Sequence, residues 1–261
     1  MGGAFHEPSA RLGPASDNPV SIVIIIAVLI AVALYNATEL LALILINFNN
    51  HHGIYFWSLL LSTAAGVIPL SLGCMIDYFE LAPLWLILIV ISVGWIFMVG
   101  GQSVVLYSRL HLVSRNDRAL CSLRYLISVN TTALVVPTTV LYFGTAYMGS
   151  GEWSRAYGIM EIIQIIGICA QECIISGLYI VETIKLIRLY PNQDKARIWI
   201  IYQLLVLNLA AIMMDVLLLV LQFQNMYSVQ VVLKATVYSI KLKLEFAVLG
   251  RLVLYCDRPP L

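Results

Sequence analysis

The chain has 261 residues, of which 61% are hydrophobic and 11% charged, and its formal net charge is +1. Soluble domains carry about 25% charged residues, so this composition, with a mean hydropathy of +0.92, excludes an ordinary soluble globule and indicates an integral membrane protein. A near-neutral charge also argues against nucleic acid as a partner and leaves membrane lipids as the expected surroundings.

A hydrocarbon core about 30 Å thick requires roughly 20 apolar residues per crossing helix. Seven stretches meet that length: Val20–Ile46, Ile54–Ile76, Leu81–Tyr107, Ser122–Tyr147, Ala156–Leu189, Ile198–Phe223 and Ser228–Tyr255. The expected fold is therefore all-α, a polytopic bundle of seven transmembrane helices. Residues 1–19 form the expected extracytoplasmic tail, 20–255 the transmembrane domain and 256–261 the cytoplasmic tail, with no soluble domain at either end. The first tail contains His6, Glu7, Asp17 and three prolines and lacks the regions of a cleaved signal peptide. The first helix is expected to act as its own insertion signal.

The first run carries Asn36 about one turn before Glu39, with Tyr35 four residues before Glu39 on the same face. Pro69 in the second run and Pro137 in the fourth each remove a backbone donor and predict a kink. In the third run Gly94, Gly100 and Gly101, and in the fifth Ser176 and Gly177, predict close helix approach. The fifth run places Glu161, Gln164 and Glu172 on one stripe, because eleven residues return to nearly the same azimuth. It continues past a bilayer's length through Glu182, Lys185 and Arg188 to Pro191, and the Asn-Gln-Asp sequence at 192–194 predicts the turn that follows. The sixth run holds Asp215 with Asn208 two turns earlier. On the seventh, Lys234, Tyr238, Lys241 and Glu245 are spaced four, three and four apart and share a face, so Lys241 and Glu245 are expected to pair at i, i+4. Lys243 projects from another side of that helix.

Loop charge orients the bundle, since Lys and Arg near helix ends are retained in the cytoplasm. With the N-terminus out, the cytoplasmic side receives Arg109, Arg115, Arg118, Arg124, Lys185, Arg188, Lys195, Arg197, Arg251 and Arg258. The opposite side receives only Arg11 and Arg155. The expected topology is N-terminus out and C-terminus in, in the endoplasmic reticulum or plasma membrane.

Ionisable groups inside a bilayer are costly and mark function by default. Asp215, Glu39 and Glu172 are the candidate catalytic acids, because none has an evident cation in its own helix and desolvation favours the neutral acid that can donate a proton. Asn36, Glu161, Gln164, Asn208, Tyr238, Lys241 and Glu245 are the candidate substrate-binding groups. A second reading makes the same groups an interhelical network that fixes the bundle, at about 0.6 kcal/mol per hydrogen bond. The five cysteines are scattered and expected to be free thiols; Cys169 and Cys173 share a face without a third ligand, so no metal is expected. There is no HExxH, P-loop, GxGxxG or nucleophile elbow. Neither Lys234 nor Lys241 has an Asp four residues before it, unlike the Schiff-base lysine of microbial retinal proteins, so no cofactor is expected.

The segments Tyr35-Asn-Ala-Thr-Glu39-Leu40, Tyr55-Phe-Trp-Ser58, the stretch from Gly101 to His111, Gln171-Glu-Cys-Ile-Ile-Ser-Gly-Leu-Tyr179 and the stretch from Tyr238 to Gly250 resemble an uncharacterised family of small fungal seven-helix membrane proteins. In size, helix number and intramembrane acids the chain also looks like fungal membrane-bound terpene cyclases of meroterpenoid pathways. That second resemblance implies acidic residues protonating an epoxide or alkene on a lipophilic, prenylated substrate, in a cyclase-like enzyme or an accessory of secondary metabolism. The alternatives are a receptor-like sensor, favoured by the N-out topology and basic loops, and a non-catalytic carrier or membrane partner. Protein partners are not indicated by the sequence.

Overall fold

The computed structural model describes residues 20–47, 53–113, 117–149, 151–189, 195–223 and 227–256. The expected terminal tails, Arg11, Arg115, Arg258 and the turn at 192–194 lie outside the described residues.

Among the described residues there are seven helices and no strand: α1 (Val20–Asn47), α2 (Ile54–Tyr78), α3 (Leu84–Val113), α4 (Asp117–Met148), α5 (Gly151–Leu189), α6 (Lys195–Phe223) and α7 (Tyr227–Cys256). Five of them, α1 to α5, contain segments long and apolar enough to cross a bilayer. Among the described residues the apolar stretch of α6 is Val206–Leu221, and α7 carries Lys234, Lys241, Lys243 and Glu245 close together.

The helix ends follow local chemistry. α2 closes on Glu80, whose φ of 52° turns the chain left-handed, while the Leu81 N–H reaches back to the Ile76 carbonyl at 3.0 Å. Leu81–Pro83 therefore form a turn, and the third helix starts at Leu84 rather than at Leu81. The Pro83 carbonyl accepts from the Leu86 and Ile87 amides and begins α3. α5 runs for 39 residues, about 58 Å at 1.5 Å per residue. Its final turns carry an exposed Lys185–Glu182 ion pair at 2.8 Å.

The two prolines act differently. Before Pro69 the α-helix widens into a π-helical segment, Ser62–Val67, in which the Ile68 N–H bonds to the Thr63 carbonyl five residues back. A π-turn of this kind absorbs the missing donor and the ring's bulk. Around Pro137, α4 continues as α-helix, and Thr138 and Thr139 donate to the Leu134 and Val135 carbonyls at 2.7 and 2.8 Å.

Each helix packs on its chain neighbours, and α7 closes the bundle by lying along α1 and α6. α3 leans inward, touching α2, α4, α5 and α7. It approaches α2 most closely: a Cβ on Gly94 would stand 2.5 Å from the Leu70 backbone nitrogen, and one on Gly101 would stand 2.6 Å from Ser62 Cβ. Of the four glycines expected at close contacts, Gly100 and Gly177 face open space instead.

The polarity of the bundle is inverted relative to a soluble protein. Ile24, Val28, Val136, Val140, Ile163, Leu209 and Met213 are exposed, whereas Glu161, Glu172, Asp215, Lys234 and Lys241 are buried. Large exposed apolar surface wrapped around buried charge is compatible with an integral membrane protein.

Candidate functional site

The interior charges are organised by one face of α7. Spacings of four, three and four residues put Lys234, Tyr238, Lys241 and Glu245 on a single stripe, and all four are buried. Each lysine reaches away from its own helix to acids on neighbouring ones. Lys234 Nζ lies 2.5 Å from Glu161 Oε1 on α5. Lys241 Nζ lies 2.8 Å from Glu172 Oε2 on α5 and pairs as well with Asp215 Oδ1 on α6. Its ammonium also stands 5.1 Å from the centroid of the Tyr238 ring, within range of a cation–π contact.

This geometry departs from the expected pairing of Lys241 with Glu245. A lysine one turn before a glutamate has the less favourable helical orientation, and two acids across the interface offer more charge than one on the same helix. Asp215 and Glu172 thus have a shared cation that neither α5 nor α6 could supply by itself. Glu245 is also buried and makes contacts of its own.

The central cluster is deeply buried and unbalanced. The Lys241 side chain is 0% exposed, with Glu172 at 4% and Asp215 at 6%, and two carboxyls face one ammonium. Glu172 Oε1 and Asp215 Oδ2 are buried without a hydrogen-bond partner among the described residues. Gln164 is buried on the same stripe of α5 as Glu161 and Glu172, and Asn208 is buried two turns before Asp215 on α6.

Glu39 and Asn36 belong to a separate, more exposed site. Lys243 Nζ contacts Glu39 Oε2 at 2.6 Å, with side-chain exposures of 34% and 36%. It also donates to Asn36 Oδ1 at 3.4 Å, and the Asn36 amide donates to Ser239 Oγ at 3.4 Å. Of the three candidate acids, the structure therefore brings Asp215 and Glu172 together and leaves Glu39 apart.

A cleft of about 650 Å³, its open mouth included, enters the bundle between α2, α3, α4, α5 and α7. Its walls come from the end of α2 (Asp77), the start of α3 (Ser92, Trp95), the end of α4 (Thr138, Tyr142) and the starts of α5 and α7 (Tyr157, Glu161, Gln164, Lys234). This alternation of starts and ends is the signature of an up-and-down bundle. Aromatic rings and hydroxyls surround the Lys234–Glu161 pair. A second, smaller cavity shares Trp95, Gln164 and Lys234 with the cleft and continues to Tyr238, Cys169 and Asp215. The two spaces thus adjoin through these shared walls, and the inner one borders Asp215 of the Lys241 cluster.

Asp77, Lys234 and Lys243 are functional candidates that the sequence reading left aside. Asp77 followed the apparent end of the second apolar run and looked like loop, yet α2 continues through it and buries it to 5% exposure. The available signal was the apolar sequence on both sides of it, Met75-Ile76 and Tyr78-Phe79, with no Gly or Pro before Pro83. Beyond the ion pairs, Gln171 bridges helices, donating to Ser103 Oγ at 2.9 Å and accepting from Asn130 at 2.8 Å. Gln102 beside Ser103 is 1% exposed, and neither of its amide atoms has a partner among the described residues. Among the described residues no group of three or more His, Cys, Asp or Glu is arranged to hold a metal, and the described cysteines are free thiols.

A family model described as a domain of unknown function, DUF7703, matches residues 13–258 and so takes in all seven helices. The chain belongs to the DUF7703 family. No curated protein and no solved structure matches it. Every element of the DUF7703 cleft and of the Lys241 cluster lies inside the matched region, so the site belongs to the family domain itself.

Proposed function

We propose that this DUF7703 chain is a seven-helix integral membrane protein that admits a lipophilic molecule, polar end first, to the cleft and transfers a proton to or from it. The observation that carries this reading is that the cleft and a second cavity bordering Asp215 of the Lys241 cluster share Trp95, Gln164 and Lys234 in their walls. Trp95, Tyr142 and Tyr157 give the cleft apolar walls, while Glu161, Lys234 and Asp77 give it charge. Ligand sites commonly combine mostly apolar walls with a few convergent polar groups.

In this reading Asp215 is the acid within reach and Glu172 its partner, while Glu39 serves the bundle's edge. The topology is N-terminus out and C-terminus in, supported by the excess of Arg and Lys on the loops assigned to the cytoplasm. The cleft then opens toward the non-cytoplasmic side of the endoplasmic reticulum or plasma membrane. The finer assignment, a cyclase-like enzyme or accessory of fungal terpenoid metabolism, is supported by the resemblance in helix number and buried acids. There the acid O–H would protonate an epoxide oxygen as its C–O bond opens, an alkene pair would form the new C–C bond, and loss of a proton from carbon would end the sequence.

The test uses the chain in lipid nanodiscs with a radiolabelled prenyl epoxide. Cyclised product from the wild type, lost in Asp215→Asn protein that still accumulates in membranes, is the expected result. Absence of both product and saturable binding overturns the reading. Saturable binding without turnover transfers support to the receptor or carrier alternative.

A further inference from the structure

We propose that Glu172 and Asp215 share one exchangeable proton, so that the resting cluster with Lys241 is neutral and loaded. This deepens the function proposed above and rests on its account of the cleft as the route to the cluster. With every group ionised, the three side chains sum to one negative charge in a space where none is more than 6% exposed. An uncompensated buried charge is costly enough that such a group neutralises instead. One added proton restores neutrality, and in this cluster Glu172 Oε1 and Asp215 Oδ2 are buried oxygens without a hydrogen-bond partner among the described residues. Two carboxyls close enough to share a cation are also the usual means of holding one proton between a pair.

Among the described residues no surrounding group supplies the missing positive charge. From α7, Lys234 faces the same small cavity but is paired with Glu161 of α5 at 2.5 Å. Tyr238 offers its ring to Lys241, and Glu245, one turn further, has contacts of its own. From α5 come Cys169 and, beside it, Cys173, both free thiols; Asn208 of α6 does not titrate. The wall from α3 is Trp95, Met98 and Val99.

The cavity adjoining Asp215 makes the proton exchangeable from the cleft end of the bundle. The shared proton therefore forms a store behind the ligand space, available to a basic atom that reaches Asp215. A proton withdrawn by a ligand leaves the cluster with its net negative charge, which favours retention of the newly formed cation. After release, the same route reloads the site.

Infrared spectroscopy of the substrate-free protein in nanodiscs tests this directly. The wild type at neutral pH should show the carbonyl band of a protonated carboxylic acid, shifting on transfer to D2O. Glu172→Gln and Asp215→Asn should each remove one carboxyl's worth of that band, because each leaves one carboxylate for one ammonium. Glu182→Gln, in the exposed pair on α5, should leave it intact. Alkaline titration of the wild type should abolish the same component, a measurement independent of any variant's folding. Wild type and both variants having the same band, or a component lost on replacing choline with sodium ions, overturns the proposal, the latter assigning the place to a metal cation. A proton here without turnover of the prenyl epoxide refutes the enzymatic reading alone. Turnover without the band refutes the shared proton alone.

Discussion

Replacing Lys241 with Met removes the ammonium from the centre of the bundle while keeping most of the side chain's volume. Lys241 is 1% exposed as a residue and holds acids from two other helices. Removing one partner of a buried ion pair costs about 3–5 kcal/mol, because the remaining charge has no compensation. The shared-proton account places the loss near the lower bound, since Glu172 and Asp215 can take up a second proton instead of remaining ionised. Lys241→Met is therefore expected to destabilise the protein by about 3 kcal/mol. The triple variant with Glu172→Gln and Asp215→Asn should recover most of that loss, because no buried charge is then left unpaired. The assay is reversible unfolding from mixed micelles, followed by tryptophan fluorescence, with each variant compared at one lipid-to-detergent ratio. A loss below about 1 kcal/mol for Lys241→Met, the size of an exposed pair's contribution, would refute the account of the cluster as a dry, charge-coupled unit.

Four further outcomes follow from the same geometry. Lys243→Ala breaks a pair whose side chains are about one-third exposed, so its loss should stay under about 1 kcal/mol in the same unfolding assay. Gly94→Ala drives a methyl into the Leu70 backbone, whereas Gly100→Ala meets nothing; the first should lose about 1–3 kcal/mol from overpacking and the second should be neutral or slightly stabilising. Gln102→Leu removes a buried amide with no partner and should raise stability by about 1 kcal/mol or more; a fall would mean that an internal water serves the amide. For topology, a glycosylation sequon inserted before Val20 should be modified in microsomes and one inserted at 190–194 should not, with the reverse pattern inverting the proposed orientation.

Much of the fold was legible because bilayer-length apolar runs are a strong signal. All seven runs correspond to helices. Of the two prolines expected to disturb their helices, Pro69 follows a π-segment in α2, whereas α4 continues as α-helix through Pro137. Helical spacing also identified the α7 stripe, since azimuth depends only on position along one helix. Ion pairing failed as a sequence inference at Lys241 because the choice between Glu245 and the pair Glu172 and Asp215 depends on how three helices are rotated about their axes. Lys243 illustrates the same limit, reaching Glu39 across 204 positions of sequence.

The cross-helix pairing changes what the buried acids can do. An acid isolated in its own helix, as Asp215 looked in sequence, would be held neutral by desolvation and would give its proton at the expense of creating an unpaired buried charge. Beside Lys241 the resulting carboxylate is compensated, which makes proton loss feasible in a dry interior. A second carboxyl then prevents the opposite problem, permanent locking of Asp215 as an ion-paired base, because one ammonium cannot fully satisfy two carboxylates. The composition of the cluster, one cation and two acids at the inner end of a cleft, is therefore better suited to passing a proton than either an isolated acid or a simple salt bridge. A purely structural network would reach lower energy by balancing its charges, as Lys234 and Glu161 do two stripe positions nearer the mouth.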